Sequence, residues 1–149
     1  LTTRPATTAA VTRGAQRMLR SAGLTSLTEV SLPSGRRADL MALGGDGEIW
    51  IVEIKSSPED LRTDHKWSDY RAHCDRLFFA VDGAMPVELM PVDAGLIVAD
   101  AFGGAILRDA PLHRLAGSTR RSLLLRFARI GADRLHVLSD PEAGAGLLF

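Results

Sequence analysis

The 149 residues suffice for one ordinary domain with a real core, and a composition of 46% hydrophobic and 24% charged residues is that of a globular protein. No apolar run is long enough to span a bilayer, so membrane partners are excluded from the reading. Lys plus Arg and Asp plus Glu both number 18, so any phosphate-bearing partner must be held by a local patch rather than by net charge.

The Thr/Ala-rich start has no apolar stretch of a secretory signal, and the single cysteine, Cys74, rules out an intramolecular disulfide. Both features predict a cytoplasmic protein. Residues 1–8 read as frayed, with Pro5 suited to a first helical turn. Helical spacing of Val11, Ala15, Met18 and Leu19 predicts a helix over residues 9–22, closed by Gly23. Arg13, Arg17 and Arg20 lie on its other side, either solvated or facing phosphate.

Strands are predicted at residues 27–32, 36–43 and 48–55, joined by Pro33-Ser34-Gly35 and Gly45-Asp46-Gly47. Both connections fit three-residue hairpin loops with glycine in the left-handed position. The second loop pairs Gly44 with Glu48, and counting back along both strands sets Asp39 opposite Glu53, with Cβ atoms ~4.5–5.5 Å apart. The first loop pairs Leu32 with Arg36 and sets Glu29 opposite Asp39. A row of three carboxylates across three strands follows. Like charges in such a row repel, so it calls for a cation.

In IWIVEIK, Ile49, Ile51, Glu53 and Lys55 share one face and Trp50, Val52 and Ile54 the other. Glu53 and Lys55 therefore end an apolar face, where ions are costly without partners or a task. Asp39 and Glu53, with the Ile54 carbonyl, supply the oxygen ligands that Mg²⁺ or Mn²⁺ takes, with Glu29 as a third carboxylate. Lys55 would position phosphate and water. The alternative for Asp39, Glu53 and Lys55 is a structural ion cluster bridging two strands. His65, His73 and Cys74 match no closed zinc spacing.

Ser57 before Pro58, with Asp60 at the third helical position, predicts a helix reaching about Cys74 and carrying Lys66 and Tyr70 on one face. RLFFAVD then reads as a strand buried on both faces, parallel to its neighbour through the helical crossover. Residues 83–91 read as a loop or short strand. GLIVADAFG and AILRDA predict a strand pair turning at Phe102-Gly103-Gly104, and Ser118 is expected to cap a helix to about Asp133 with Leu123, Leu124, Phe127 and Ile130 inward. Its Arg120, Arg121, Arg126 and Arg129 form a basic side. The segment from residue 140 reads as weakly ordered, and the whole as a single domain.

Asp39 followed by Glu53-Ile54-Lys55 resembles the PD-(D/E)xK nuclease core, with Ala38 in the place of proline, and Lys66-Trp67-Ser68-Asp69-Tyr70 resembles the element that follows this core in recombination-type members. The run VEIKSSPEDLRTDHKWSDYRAHCDRLFFAV, with RRADLMAL before and GLIVAD after, is similar to the MmcB-like DNA repair family over residues 29–134. The resemblance implies an α/β, restriction endonuclease-like fold, with a mixed central sheet flanked by helices, a Mg²⁺ or Mn²⁺ site and a role on DNA. It implies metal ligands at Asp39 and Glu53, a catalytic lysine at Lys55, and phosphate contact or site support from Lys66 and Tyr70. Arg37, Arg120 and Arg121 are the further side chains expected to meet phosphate. Many superfamily members add a glutamate from the first helix, where this chain offers only Gln16.

The sequence thus predicts a divalent-metal-dependent endonuclease in DNA repair, with RNA an open substrate. The alternative is an inactive nucleic-acid-binding or scaffold protein of the same fold. A homodimer or a repair-protein partner is the expected means of gripping a duplex with so small a basic surface.

Overall fold

The computed structural model describes residues 3–62 and 67–144. Helix α1 (Arg4–Ser21) begins five residues earlier than the apolar spacing indicates. Thr3 caps it through its hydroxyl and Pro5 fits the first turn, so polar Thr and Ala positions extend the helix. Gly23, at φ +90°, turns the chain into β1 (Thr25–Ser31). Strands β2 (Arg37–Leu43) and β3 (Ile49–Ile54) complete an antiparallel meander.

Both glycine loops form as their sequences require. Gly35 and Gly47 sit at φ +88° and +90°, conformations a side chain would oppose. Leu32 N–H donates to the Arg36 carbonyl and Gly44 N–H to that of Glu48. The registers follow, with Val30 opposite Ala38 and Thr28 opposite Leu40, then Leu40 opposite Val52 and Leu43 opposite Ile49.

The crossover after β3 departs from a single long α-helix. Ser57 Oγ accepts the Asp60 N–H, so the predicted cap forms, but α2 (Pro58–Arg62) is short and a 3₁₀ helix occupies Trp67–His73. Then β4 (Arg76–Val81) runs parallel to β3, and β5 (Gly95–Ala99) parallel to β4. A 3₁₀ turn at Val87–Leu89 lies between them. Strand β6 (Gly104–Arg108) folds back antiparallel on β5. The result is a mixed six-stranded sheet in chain order, the α/β architecture that the alternating strands predict.

Helix α3 (Gly117–Ser139) runs past residue 133 and is followed by a 3₁₀ turn at Pro141–Ala143. Ser118 does not cap it. The cap position is Ala116, without a side-chain bond. The sheet separates two cores. On one face Leu40, Val52, Ile54 and Phe78 pack against Val11, Ala15 and Leu19 of α1; on the other Met41, Ile49, Ile51 and Leu77 pack against Leu123 and Ile130 of α3. The alternation along β3 is the predicted one. No helix among the described residues is long and apolar enough to cross a membrane.

Candidate active site

The registered pairing of β2 with β3 stops at Leu40 and Val52, and the carboxylates take over where the ladder ends. Asp39 N–H donates to Glu53 Oε2 at 2.9 Å, and Ile54 N–H donates to Asp39 Oδ2 at 2.8 Å. Each acid holds the other strand's backbone. Strand β3 meanwhile continues with β4, so Lys55 N–H reaches the Ala80 carbonyl at 3.0 Å. Glu53 and Lys55 are 4% and 7% exposed, which makes them two of the buried charged groups of the protein.

Burial raises the Asp39 pKa above the ordinary aspartate value; Asp60 and Glu29 add to this, while the Ile54 N–H and Lys55 oppose it. Glu53 is pushed up to about 8, first by burial and then by the charge of Asp39, against the Asp39 N–H, Lys55 and a hydrogen bond with Tyr70. Tyr70 O–H also lies 3.3 Å from the Arg37 carbonyl. The 3₁₀ helix thus brings Tyr70 to the site, as the sequence predicts. Lys66 lies outside the described residues.

A pocket of about 410 Å³ opens beside Asp39. Its wall from α1 is Thr8, Ala9, Thr12, Arg13 and Gln16, and the sheet contributes Thr28, Glu29, Asp39 and Ile54. Arg13 is thereby distinguished from Arg17, whose guanidinium turns to the Phe102 carbonyl at 3.3 Å. Sequence alone could not choose between the helix arginines; only the packing angle of α1 does. Gln16 is further held by the Ser26 hydroxyl at 2.9 Å.

Two expectations need correction. Glu29 does not complete a carboxylate row. It sits at φ +49°, the pairing skips it between Thr28 and Val30, and its exposed side chain lies 3.8 Å from Arg37. Arg134 explains the distortion: its guanidinium takes the carbonyls of Thr28 at 2.6 Å and Glu29 at 2.8 Å. Arg37 is exposed and shares its charge with Glu29 rather than standing ready for phosphate alone.

Arg120 is the second correction. It forks onto Asp75 at 2.6 and 2.7 Å and reaches the Gly47 carbonyl at 2.8 Å. Burial works against the charge of Asp75, but the guanidinium and the N–H groups of Ile49 and Leu115 overcome it and hold the carboxyl at about 2. This is a structural pair. Asp75 immediately precedes β4 and accepts the Ile49 N–H, at the opposite end of β3 from Glu53, so Arg120 and the adjacent Arg121 stand away from the site.

Among the described residues no three His, Cys, Asp or Glu side chains cluster to hold an ion. Two carboxylates do converge, and a cation such as Mg²⁺ keeps several waters and uses one or two protein carboxylates, so the donor set fits it. Zinc finds no such set among the described residues, and His65 lies outside them. Cys74 is buried, donates to the Tyr70 carbonyl at 3.4 Å and is pushed up to about 12, chiefly by burial.

Two comparisons place the chain among known proteins. It is similar to SPO1766, a protein of unknown function from Silicibacter pomeroyi, with 43% sequence identity, a TM-score of 0.90, and coverage of 96% of this chain and 97% of that one. No curated protein matches. Residues 2–142 match the family described as DNA repair protein MmcB-like. That match spans every strand, α1 and α3, as well as Asp39, Glu53 and Lys55, and with it the chain belongs to the MmcB-like family.

Proposed function

We propose that this protein acts in DNA repair as a divalent-metal-dependent nuclease, hydrolysing phosphodiesters at the Asp39–Glu53–Lys55 cluster. One observation carries the reading: two carboxyl groups from adjacent strands are held together in partial burial, beside a buried lysine. A purely structural pair would be better served by one acid and one base. The DNA-repair role is the coarser part of the reading and rests on the family.

Asp39, Glu53 and the Ile54 carbonyl are the groups that would hold Mg²⁺ or Mn²⁺. When bound, such an ion supplies charge neutralisation at the scissile phosphate and activation of water. The other roles belong to the chain. Asp39 Oδ2 and Glu53 Oε2 are fixed by backbone N–H groups, so their remaining oxygens are aimed without a search over rotamers. Lys55 balances the negative charge gathered on the phosphate as water adds and the P–O bond to the leaving alkoxide breaks. Tyr70 steadies Glu53, and Arg13 offers a cation in the pocket through which the strand would pass.

The test is cleavage of linear, nicked and branched DNA, and of matched RNA, with Mg²⁺, with Mn²⁺ and with chelator. Cleavage by the wild type in either ion, absent with chelator and in Asp39→Asn, is the expected result. Salt-dependent DNA binding without cleavage under every condition would replace this reading with that of an inactive binding or scaffold protein, for which the incomplete carboxylate row is the supporting feature.

A further inference from the structure

Among the described residues, helix α3 is covered on one side only. Leu123 and Ile130 are buried against the sheet, whereas Leu125, Leu135 and Leu138 are 58%, 66% and 79% exposed. Ala128 and Ala132 are exposed as well. Leu125, Ala128, Ala132 and Leu135 follow the three-four-three spacing of a seam between two helices.

The two ends of this seam complement each other. Toward the N-terminus an apolar groove of about 350 Å³ is bounded by Gly117, Arg120, Arg121, Leu124, Leu125 and Ala128. Toward the C-terminus Leu135 and Leu138 project. A rigid helix cannot seat its own C-terminal leucines in its own N-terminal groove. An antiparallel second copy can.

We infer that α3 is a self-association face, on which two copies pack antiparallel about a twofold axis passing between Ala128 and Ala132. Leu135 of each copy lies against Leu125 of the other, with Leu138 at the far edge of the groove. The small alanines let the helices approach at the centre. Charge selects the same direction: Arg121 of one copy falls beside Asp140 and Glu142 of the other, and the helix dipoles oppose. A parallel pair would set Arg121 on Arg121. The surface is self-complementary in shape and in sign, as a twofold contact requires.

The contact is modest. A helix of 23 residues is ~34 Å long and ~10–12 Å wide, a face smaller than the ~800 Å² per partner of a standard interface. The dimer therefore dissociates on dilution.

Sedimentation velocity on the full chain over a wide concentration range should show a reversible monomer–dimer equilibrium. Leu135→Glu should weaken it at least tenfold with unchanged circular dichroism. Arg121→Glu should weaken it too, and adding Asp140→Arg should restore it. Orientation is read by oxidation: a chain with both Leu125→Cys and Leu135→Cys should form a disulfide dimer, while either single variant should not, since like positions lie ~15 Å apart along antiparallel axes. A wild type that stays monomeric throughout overturns the inference, whether another protein or the chain's own end covers the face. So does a dimer indifferent to Leu135→Glu, or single variants that cross-link as fast as the double.

Discussion

Replacing Glu53 with glutamine should make the protein more stable and abolish the proposed cleavage. Glutamate ordinarily titrates near 4.5, and burial with Asp39 beside it pushes Glu53 up to about 8. As pH rises through 4.5 the unfolded chain gives up its proton while the native chain keeps it, so native stability falls progressively from 4.5 to about 8 and is unaffected below that window. At pH 7 the loss is on the order of 3 kcal/mol, at about 1.4 kcal/mol per pH unit. Glutamine keeps an oxygen to accept the Asp39 N–H and carries no charge. Its melting temperature at pH 7 should exceed that of the wild type by roughly 6–12 °C, taking about 2–4 °C per kcal/mol for a chain of this size. The assay is differential scanning calorimetry of both proteins at pH 4, 6 and 8, without and with Mg²⁺. The gain should vanish at pH 4 and shrink when Mg²⁺ is added to the wild type, because a cation at the pair would offset the burial penalty and the Asp39 charge that oppose ionisation of Glu53. A variant less stable than the wild type at pH 8, or a gain equal at pH 4, would refute the reasoning.

Further outcomes are expected away from the carboxylates. Arg120→Met strands the buried Asp75 carboxylate and should cost about 3–5 kcal/mol in urea unfolding; Asp75→Asn combined with Arg120→Met should recover part of that. Gly14→Ala places a Cβ 1.8 Å from the Asp100 carbonyl oxygen and 2.5 Å from that of Gly103, so it should destabilise the protein by about 1–3 kcal/mol despite alanine's helix preference, again read by urea unfolding. Cys74, buried and with its thiol pushed up to about 12, should react with a thiol reagent at pH 8 only at the rate of unfolding, as a stopped-flow comparison with denatured protein would show. Arg134→Met frees the carbonyls of Thr28 and Glu29; Glu29 should relax, with the amide signals of residues 28–30 shifting in NMR spectra while those of β5 stay put.

The parts of the fold that depend on neighbouring residues were legible in the chain. Two loops with glycine in third place set the meander and its register, and the continuous apolar run ending at Val81 announced a strand buried on both faces. Because the register was right, Asp39 and Glu53 meet. The features that escaped depend on residues far apart in sequence. Glu29 looked like the third acid because alternation continues through it, and nothing near it signals that Arg134 of α3 takes its carbonyl and twists the strand. Arg120 looked like one of a row of basic helix residues until Asp75 met it across the fold. Gly14 reads as a weak point in a helix, yet it is where α1 lies against the Asp100–Gly103 turn. Arginine is ambiguous in sequence for this reason: its fork satisfies backbone carbonyls, carboxylates and phosphates equally well.

The carboxylate pair and the cation proposed for it are tested most directly by anomalous diffraction from Mn²⁺-soaked crystals. A peak bridging Asp39 and Glu53, within coordination distance of both and lost in Asp39→Asn, is the result predicted. Crystals saturated with Mn²⁺ that show no peak there, or one bound elsewhere on the chain, would contradict it.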